Sequence, residues 1–349
     1  MFKQPIQFAR LAGRSHIDMS VAVGTVHLKS PIMTASGTSG YGVELAGYMD
    51  LEKLGAVVVK SMAVFDWPGN PAPRVCSGPA SMINSVGLQG RGISWWLSKQ
   101  LPKLVEHRCT VIASIWGRTP DDFEQAAKLL APAYGISAIE VNASCPNIED
   151  RNHIFAHSAI ATANIVRASL SSGLPVWVKL SANTADLVDI AGHAIEAGAE
   201  GIVLINTLLG IAIDINKRRY VLGSGQAGGG VSGPAIRPVA LRAVHDVRKA
   251  FPEIGIVGVG GISRGRHAVE MMMAGANAVQ VGTATILDPR APIKVHKELM
   301  NWCRMNRVTR VRDLSGCIIG EDDTSNYAPE RDSESAGNKR PDDTITDET

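Results

Sequence analysis

The sequence predicts an α/β protein built as a (β/α)8 TIM barrel with an N-terminal hairpin, and three observations carry that prediction. Short apolar runs recur eight times along the 349 residues. Amphipathic, helix-like stretches separate most of them. Each run ends in small or polar residues, and glycine is abundant, with 35 in the chain, as suits many tight strand-to-helix turns. Near-continuous apolar strands belong in a parallel sheet covered on both faces. Eight βα units in a chain of this length point to a closed barrel. An open doubly wound sheet is the alternative, but no GxGxxG follows the first run to support it.

Taken in order, residues 21–29, VAVGTVHLK, alternate weakly about a glycine and read as a small hairpin. The eight runs are PIMTAS (31–36), AVVVKS (56–61), TVIASI (110–115), AIEVNAS (138–144), VWVKLS (176–181), GIVLINT (201–207), IGIVGVGG (254–261) and AVQVGT (278–283). Between them lie stretches such as PDDFEQAAKLLAPAYG (120–135) and TADLVDIAGHAIEAGA (184–199). Asp121 and Asp122 suit a helix start and Gly135 a helix stop. Two connections are long. Residues 62–108 contain DWPGNPAPR and SMINSVGLQGRG, and residues 208–253 contain GSGQAGGGVSGP. Long loops on the carboxyl side of barrel strands build the site. Trp67, Trp95 and Trp96 argue that the first of them is packed. The barrel is therefore expected to occupy residues 1–319. From Gly320 the composition changes: the last thirty residues hold ten acidic against three basic side chains, a net of −7, with no Leu, Val, Phe or Met. Residues 320–349 read as a disordered acidic tail.

Composition narrows the function classes. The chain is 45% hydrophobic and 19% charged, with a formal net charge of +2, so there is no electrostatic case for nucleic acid. The five cysteines, Cys76, Cys109, Cys145, Cys303 and Cys317, form no CxxC pair, which argues against a zinc or thioredoxin-type site. An odd, scattered set suits a reducing compartment. The first twenty residues lack the apolar core of a signal peptide, and no run is long enough to span a bilayer. A cytoplasmic protein with no metal centre is expected.

In a barrel the polar residues at the carboxyl ends of strands converge on one mouth. Here they are Ser36, Lys60 with Ser61, Ser114, Asn142, Lys179, Asn206 with Thr207, Gly260 with Gly261, and Gly282 with Thr283. A buried lysine needs an anion or loses its proton, so Lys60 and Lys179 are informative. Each suits either an anionic ligand or a structural ion pair, and Glu140 on the neighbouring strand is a candidate partner for Lys179. The GG and GT ends of the last two strands expose backbone N–H groups, which cradle phosphate. A phosphate anchor, two lysines and no metal cluster suggest a phosphorylated cofactor, with flavin mononucleotide (FMN) a natural candidate. The stretch VNASCPN (141–147) sits after a buried strand, and the residue before its proline is held extended. Its thiol, Cys145, lies between Asn142 and Asn147. An amide pair can read a neutral ring bearing carbonyl and N–H groups. Taken alone, Cys145 could be a base, a nucleophile or a buried structural cysteine.

These motifs together resemble the class 1 dihydroorotate dehydrogenase family, and within it the NAD-linked 1B catalytic subunits. The resemblance runs from roughly Val21 to Pro289. GNPAPR (69–74) and MINSVGLQ (82–89) look like the family's substrate loop and VNASCPN like its catalytic-base loop. VKLSAN, LINT, GGGVSGPAIRPVAL, VGGI and VQVGTA complete the series in order. The resemblance implies oxidation of dihydroorotate to orotate in pyrimidine synthesis, with Cys145 taking the C5 proton and flavin N5 the C6 hydride. It implies that Lys60, Asn84, the Val86–Gly87–Leu88 backbone, Asn142, Asn147, Asn206 and Thr207 hold substrate. It implies that Ser36, Lys60, Ser61, Asn142, Lys179, Ile205, Gly233, Gly260, Gly261, Gly282 and Thr283 hold FMN, with Lys179 stabilising charge on the reduced ring. A homodimeric core and a second subunit carrying FAD and an iron–sulfur centre are implied as well. The chain departs from the family pattern in four places. Ser114 replaces a usual Asn, Ala182 a usual Pro, Ser77 a usual acid, and IEDRNHIF the Gly-Gly stretch after SCPN. The last departure keeps open a related dihydropyrimidine dehydrogenase-like flavoenzyme, or a catalytically idle flavin-binding interaction protein.

Overall fold

A computed structural model describes residues 17–144 and 154–318. The expected tail, 320–349, and the loop residues Cys145 and Asn147 lie outside that range. The described chain opens with β1 (Val21–Val23) and β2 (Val26–Leu28), the antiparallel hairpin expected from VAVGTVHLK. The first barrel strands are β3 (Ile32–Thr34) and β4 (Val57–Val58). An excursion follows, with β5 (Val75–Ser77), β6 (Met82–Asn84), α1 (Gly92–Lys99) and α2 (Leu101–Glu106). Regular alternation then runs through β7 (Val111–Ile115), α3 (Pro120–Leu130), β8 (Ile136–Asn142), α4 (Ala159–Ser169), β9 (Val176–Leu180), α5 (Leu187–Glu196) and β10 (Gly201–Leu204). A second excursion holds β11 (Leu208–Gly210), β12 (Ile213–Asp214), β13 (Arg219–Tyr220) and β14 (Gly229–Ser232). The chain finishes with α6 (Arg237–Ala250), β15 (Gly255–Val259), α7 (Gly265–Met273), β16 (Ala278–Val281), α8 (Thr283–Leu287) and α9 (Ala291–Met305).

Eight parallel strands run in the order β3-β16-β15-β10-β9-β8-β7-β4. A parallel bridge between Met33 and Ala56 joins the two ends, with Gly55 N donating to Ile32 O at 2.7 Å, so the sheet closes into the expected barrel. Apart from Ser137 in β8, its strand residues are buried because the interior and the helical ring cover both faces. The hairpin covers the amino end: a Cβ on Gly255 would lie 2.6 Å from Gly24 N. The opposite, carboxyl end is left to the excursions.

The helices show why the pattern was legible. Thr119 accepts from Asp122 N while the Asp122 carboxylate accepts from Thr119 N, a capping box that starts α3. Phe123, Ala126, Ala127 and Leu130 form its buried stripe at i, i+3, i+4 and i+7. Phe123 meets Phe155 edge to face at 5.7 Å. This helix stops at Leu130, five residues before Gly135. Pro132 cannot continue it, so the proline and not the glycine sets the end. Among the described residues, no helix is long and apolar enough to cross a membrane.

The excursions pair with each other. Strands β11-β14-β6-β5 form an antiparallel sheet over the carboxyl mouth, with Met82 opposite Ser232 and Asn84 opposite Gly230. The two segments expected to build the site are thus joined by one ladder.

Candidate functional site

A cavity of about 560 Å³ opens at the carboxyl ends of the barrel strands, under that sheet. Every residue that the resemblance assigns to FMN or substrate and that lies in the described range lines it. The floor is Lys60 and Ser61 from the end of β4, Asn142 from β8, Lys179 from β9, and Ile205, Asn206 and Thr207 after β10. Asn84, Val86, Gly87 and Leu88 form one wall, and Gly233, Gly260, Gly261, Gly282, Thr283 and Ser36 the other. Cys145 and Asn147 fall outside the described residues. Ser144, the residue before the cysteine, lines the cavity.

The amides of the floor are held in place. Asn142 Nδ2 donates to Ser61 Oγ at 3.3 Å, and its Oδ1 accepts from Asn206 Nδ2 at 3.2 Å and from Ser144 N at 3.1 Å. Asn206 Oδ1 takes Thr207 N at 2.9 Å. Ser114, the departure from the family's Asn, sits behind this layer, fully buried with its Oγ 2.8 Å from Ser61 Oγ. It steadies a floor residue and does not line the cavity itself. Asn183, the last residue of VKLSAN, is a fixing residue that the motif alone does not reveal. It donates to Thr207 O at 3.0 Å and accepts from Leu209 N at 2.9 Å, pinning the turn after β10.

The upper wall is fixed through the excursion sheet. Asn84 Nδ2 donates to Gly230 O at 3.3 Å. Gly230 has to be glycine, since a Cβ there would lie 2.0 Å from Thr207 Oγ1. Arg74 Nε donates to Asn70 O at 2.6 Å, and Asn70 Nδ2 to Ser85 Oγ at 2.7 Å, clamping GNPAPR against the loop of Val86 to Leu88. Trp67 Nε1 caps Gly87 O at 3.0 Å.

The two lysines differ. Lys179 is 4% exposed; its Nζ donates to Gln280 Oε1 at 3.2 Å and Ser36 Oγ at 3.3 Å, and lies 3.9 Å from Glu140 Oε1. The expected Glu140 partnership exists, but Gln280 mediates it, and sequence reasoning passed over Gln280. Lys60 has no acidic partner among the described residues. Burial, with the Arg74 charge adding to it, holds its ammonium below the usual lysine range. A second hollow of about 640 Å³ lies against Lys60, bounded by Tyr41, Asp66, Trp67 and Arg91. Of the residues assigned to FMN or substrate it contains only Lys60, so the first cavity is the candidate site.

The glycine wall suits a phosphate. Gly260 and Gly261 have φ of 136° and 66°. No acceptor among the described residues takes the backbone N–H of Gly260, Gly261, Gly282 or Thr283. Thr283 Oγ1 adds a hydroxyl, 2.8 Å from Ser232 Oγ. Unsatisfied amides beside a cavity await an acceptor. With a lysine ammonium and amide-lined floor in the same space, the donor set fits a phosphorylated, ring-bearing cofactor such as FMN.

Comparison with known proteins agrees with this architecture. The family model described as dihydroorotate dehydrogenase matches residues 18–302. A protein of a Geobacter species, named dihydroorotate dehydrogenase B (NAD(+)), catalytic subunit, is 42% identical over 302 residues, covering 86% of this chain and 98% of the relative. A protein of the same name from Alkaliphilus metalliredigens is 42% identical over 303 residues, covering 86% of this chain and 99% of the relative. One from Geobacter metallireducens is 40% identical over 302 residues.

Proposed function

The chain belongs to the dihydroorotate dehydrogenase family of oxidoreductases, and from that premise we propose that it oxidises (S)-dihydroorotate to orotate in pyrimidine synthesis, with FMN as its resident cofactor. The observation that carries the reading is the single cavity in which a glycine wall with unpaired amides, two lysines and three fixed asparagines face one another.

Gly260, Gly261, Gly282 and Thr283 would hold the cofactor phosphate through their N–H groups, with Gly233 completing the turn. Ser36, Ser61, Ile205 and Lys179 would line its ring. When bound, FMN supplies the acceptor for the hydride that leaves C6 of the substrate. Lys179 brings positive charge to a dry site, where it favours the anionic, reduced form of the cofactor.

Substrate recognition falls to the other wall. Lys60 would meet the carboxylate of dihydroorotate, and its lack of an acidic partner among the described residues supports that role. Asn84, Asn142, Asn147 and Asn206 offer both N–H and carbonyl groups to the ring's imide edge, and Thr207 with the Val86–Gly87–Leu88 backbone completes the contact. Cys145 would act as the base, its thiolate accepting the C5 proton on sulfur. The position of Ser144 on the cavity wall supports that assignment. A thiol is mostly protonated at neutral pH, so turnover should climb with pH through its titration.

The relatives are named catalytic subunits of an NAD(+) enzyme, which supports a second subunit as electron acceptor. We assign the FAD and iron–sulfur centre to that subunit, and a homodimeric core to this one. The test is anaerobic stopped-flow reduction of the FMN-loaded protein by dihydroorotate, with dihydrouracil alongside. Fast reduction by dihydroorotate alone is expected. Reduction by dihydrouracil alone would move the reading to a different ring, and reduction by neither would end it.

A further inference from the structure

The barrel interior beneath the cavity holds three polar side chains that the reaction as described does not use fully. Glu140 on β8 and Gln280 on β16 are 0% exposed, and Lys179 on β9 is 4% exposed. Strands β9 and β16 are not neighbours in the sheet, so the group spans the lumen. Gln280 Nε2 donates to Glu140 Oε2 at 2.5 Å, and Gln280 Oε1 accepts from Lys179 Nζ at 3.2 Å. The other carboxylate oxygen, Glu140 Oε1, lies 3.9 Å from Lys179 Nζ and has no hydrogen-bond partner among the described residues.

This arrangement is not the one a stabilising ion pair would adopt. A carboxylate removed wholly from water loses far more solvation than one hydrogen bond returns. Direct contact with Lys179 would compensate it best, yet the amide stands between them. Its oxygen faces the cation and its NH₂ faces the anion, so both ends of Gln280 are fixed by their partners. An ammonium has three donors. Gln280 and Ser36 take two, and the third has no acceptor among the described residues on a side chain that lines the cavity.

We propose that Glu140 and Gln280 are a positioning pair that sets how much of the Lys179 charge the cavity receives. Gln280 holds the ammonium off the carboxylate and aimed upward. Glu140 supplies a counter-charge at a fixed distance, which keeps the cation in the barrel and moderates its pull on a bound anion. The inference rests on the reading of the cavity as an FMN site. It assigns two residues to tuning the cofactor's reduction potential, and neither of them touches the cavity.

Opposite signs follow for the two residues. Glu140→Gln keeps the shape and removes the counter-charge, so the cavity receives the full Lys179 charge. The affinity for reduced over oxidised FMN should rise about tenfold, which is ~30 mV upward for a two-electron couple. Gln280→Met keeps the volume and removes the spacer, so Lys179 falls into direct contact with Glu140. The same ratio should fall about tenfold, ~30 mV downward. In the double variant the Gln280 change should be silent, leaving the potential of Glu140→Gln. The measurement is the midpoint potential of bound FMN by spectroelectrochemical titration, together with the dissociation constant of oxidised FMN. Shifts of the same sign, or potentials equal to wild type, overturn the inference while leaving the FMN site intact. If Gln280→Met does not fold, the Glu140→Gln shift decides alone, and an unchanged or lowered potential overturns it. A wild-type protein that takes up no FMN overturns both this inference and the reading beneath it.

Discussion

Two alanine substitutions in the glycine wall separate the fold from the cofactor site. Gly261 has a φ of 66°, and a Cβ there would lie 2.6 Å from Arg237 Cβ and 3.1 Å from Gly233 O. Neither neighbour is the loose end of a side chain: Arg237 opens α6, and Gly233 presents backbone. The left-handed conformation costs alanine ~1–2 kcal/mol, and overpacking adds ~1–3 kcal/mol. Gly261→Ala should therefore destabilise the apoprotein by ~2–5 kcal/mol. Because the strained turn carries the unpaired amides, FMN affinity should fall as well. Gly282 is the contrast. Its φ is −98°, and its added Cβ would meet only Ala35 Cβ at 3.5 Å, an ordinary contact. Gly282→Ala should leave stability within ~0.5 kcal/mol of wild type. Yet its methyl group enters the cavity wall where the phosphate is assigned. An overlap of ~1–3 kcal/mol there is a roughly 5- to 150-fold loss of FMN affinity. Urea unfolding of the apoprotein and quenching of FMN fluorescence on titration read the two quantities. Gly282→Ala binding FMN as tightly as wild type would refute the phosphate assignment. Gly261→Ala melting as wild type would refute the strain arithmetic.

Other expectations concern individual side chains. Cys145→Ser should retain FMN and orotate binding while flavin reduction slows by ~10²–10⁴-fold near neutral pH; rapid-reaction kinetics across pH measure it, and equal rates at pH 7 would remove the thiol from the chemistry. Lys179→Met strands the buried Glu140 carboxylate, so it should cost ~3–5 kcal/mol of stability and weaken FMN; denaturant titration and cofactor retention on gel filtration report the two losses. Lys60 gives a pH dependence. Its folded pKa lies below the ordinary 10.5 because of burial and then Arg74. Between the lowered value and 10.5 the unfolded chain binds more protons, so this group's penalty on folding is full below that window and is relieved as pH rises through it. An anionic ligand needs the proton, so orotate affinity should fall as pH climbs through the lowered pKa. Lys60→Met should weaken orotate and flatten that fall, as isothermal titration at several pH values would read.

Much of this architecture is written locally. Each of the eight apolar runs became a barrel strand, because a strand buried on both faces leaves a signal within five or six residues. The polar residues at the ends of those runs, from Ser36 to Thr283, converged because barrel closure sends every carboxyl end to one mouth. What was not legible is non-local. Nothing in SMINS or GGGVS announces that Asn84 will lie opposite Gly230, since the pairing joins segments about 150 residues apart. Gln280 was hidden for a related reason. A lone Gln in AVQVGT is as conspicuous as the Lys in VWVKLS or the Glu in AIEV, but its meaning depends on which strands face each other across the lumen. The end of α3 falls before Gly135, the expected stop, because Pro132 intervenes. Past its first turn a helix cannot keep its ladder through a proline, which lacks the N–H and clashes with the preceding turn.

The ladder joining β6 to β14 also bears on how the protein is made. During synthesis the first half of the barrel emerges with Asn84 and Val86 to Leu88 but without Gly229 to Ser232 to pair with. The turns at Gly260 and Gly282, proposed to hold phosphate, arrive later still. Contacts of such sequence separation carry a large loop-closure entropy and form slowly. The cavity is lined from both halves of the chain, so on the proposed reading ligand capture follows release of the eighth barrel strand. Free FMN at the ribosome would then act on the finished barrel, raising its stability by mass action, and would not template its folding. One edge of β6 stays unpaired until β14 appears, which exposes that edge to wrong partners in a stalled or truncated chain.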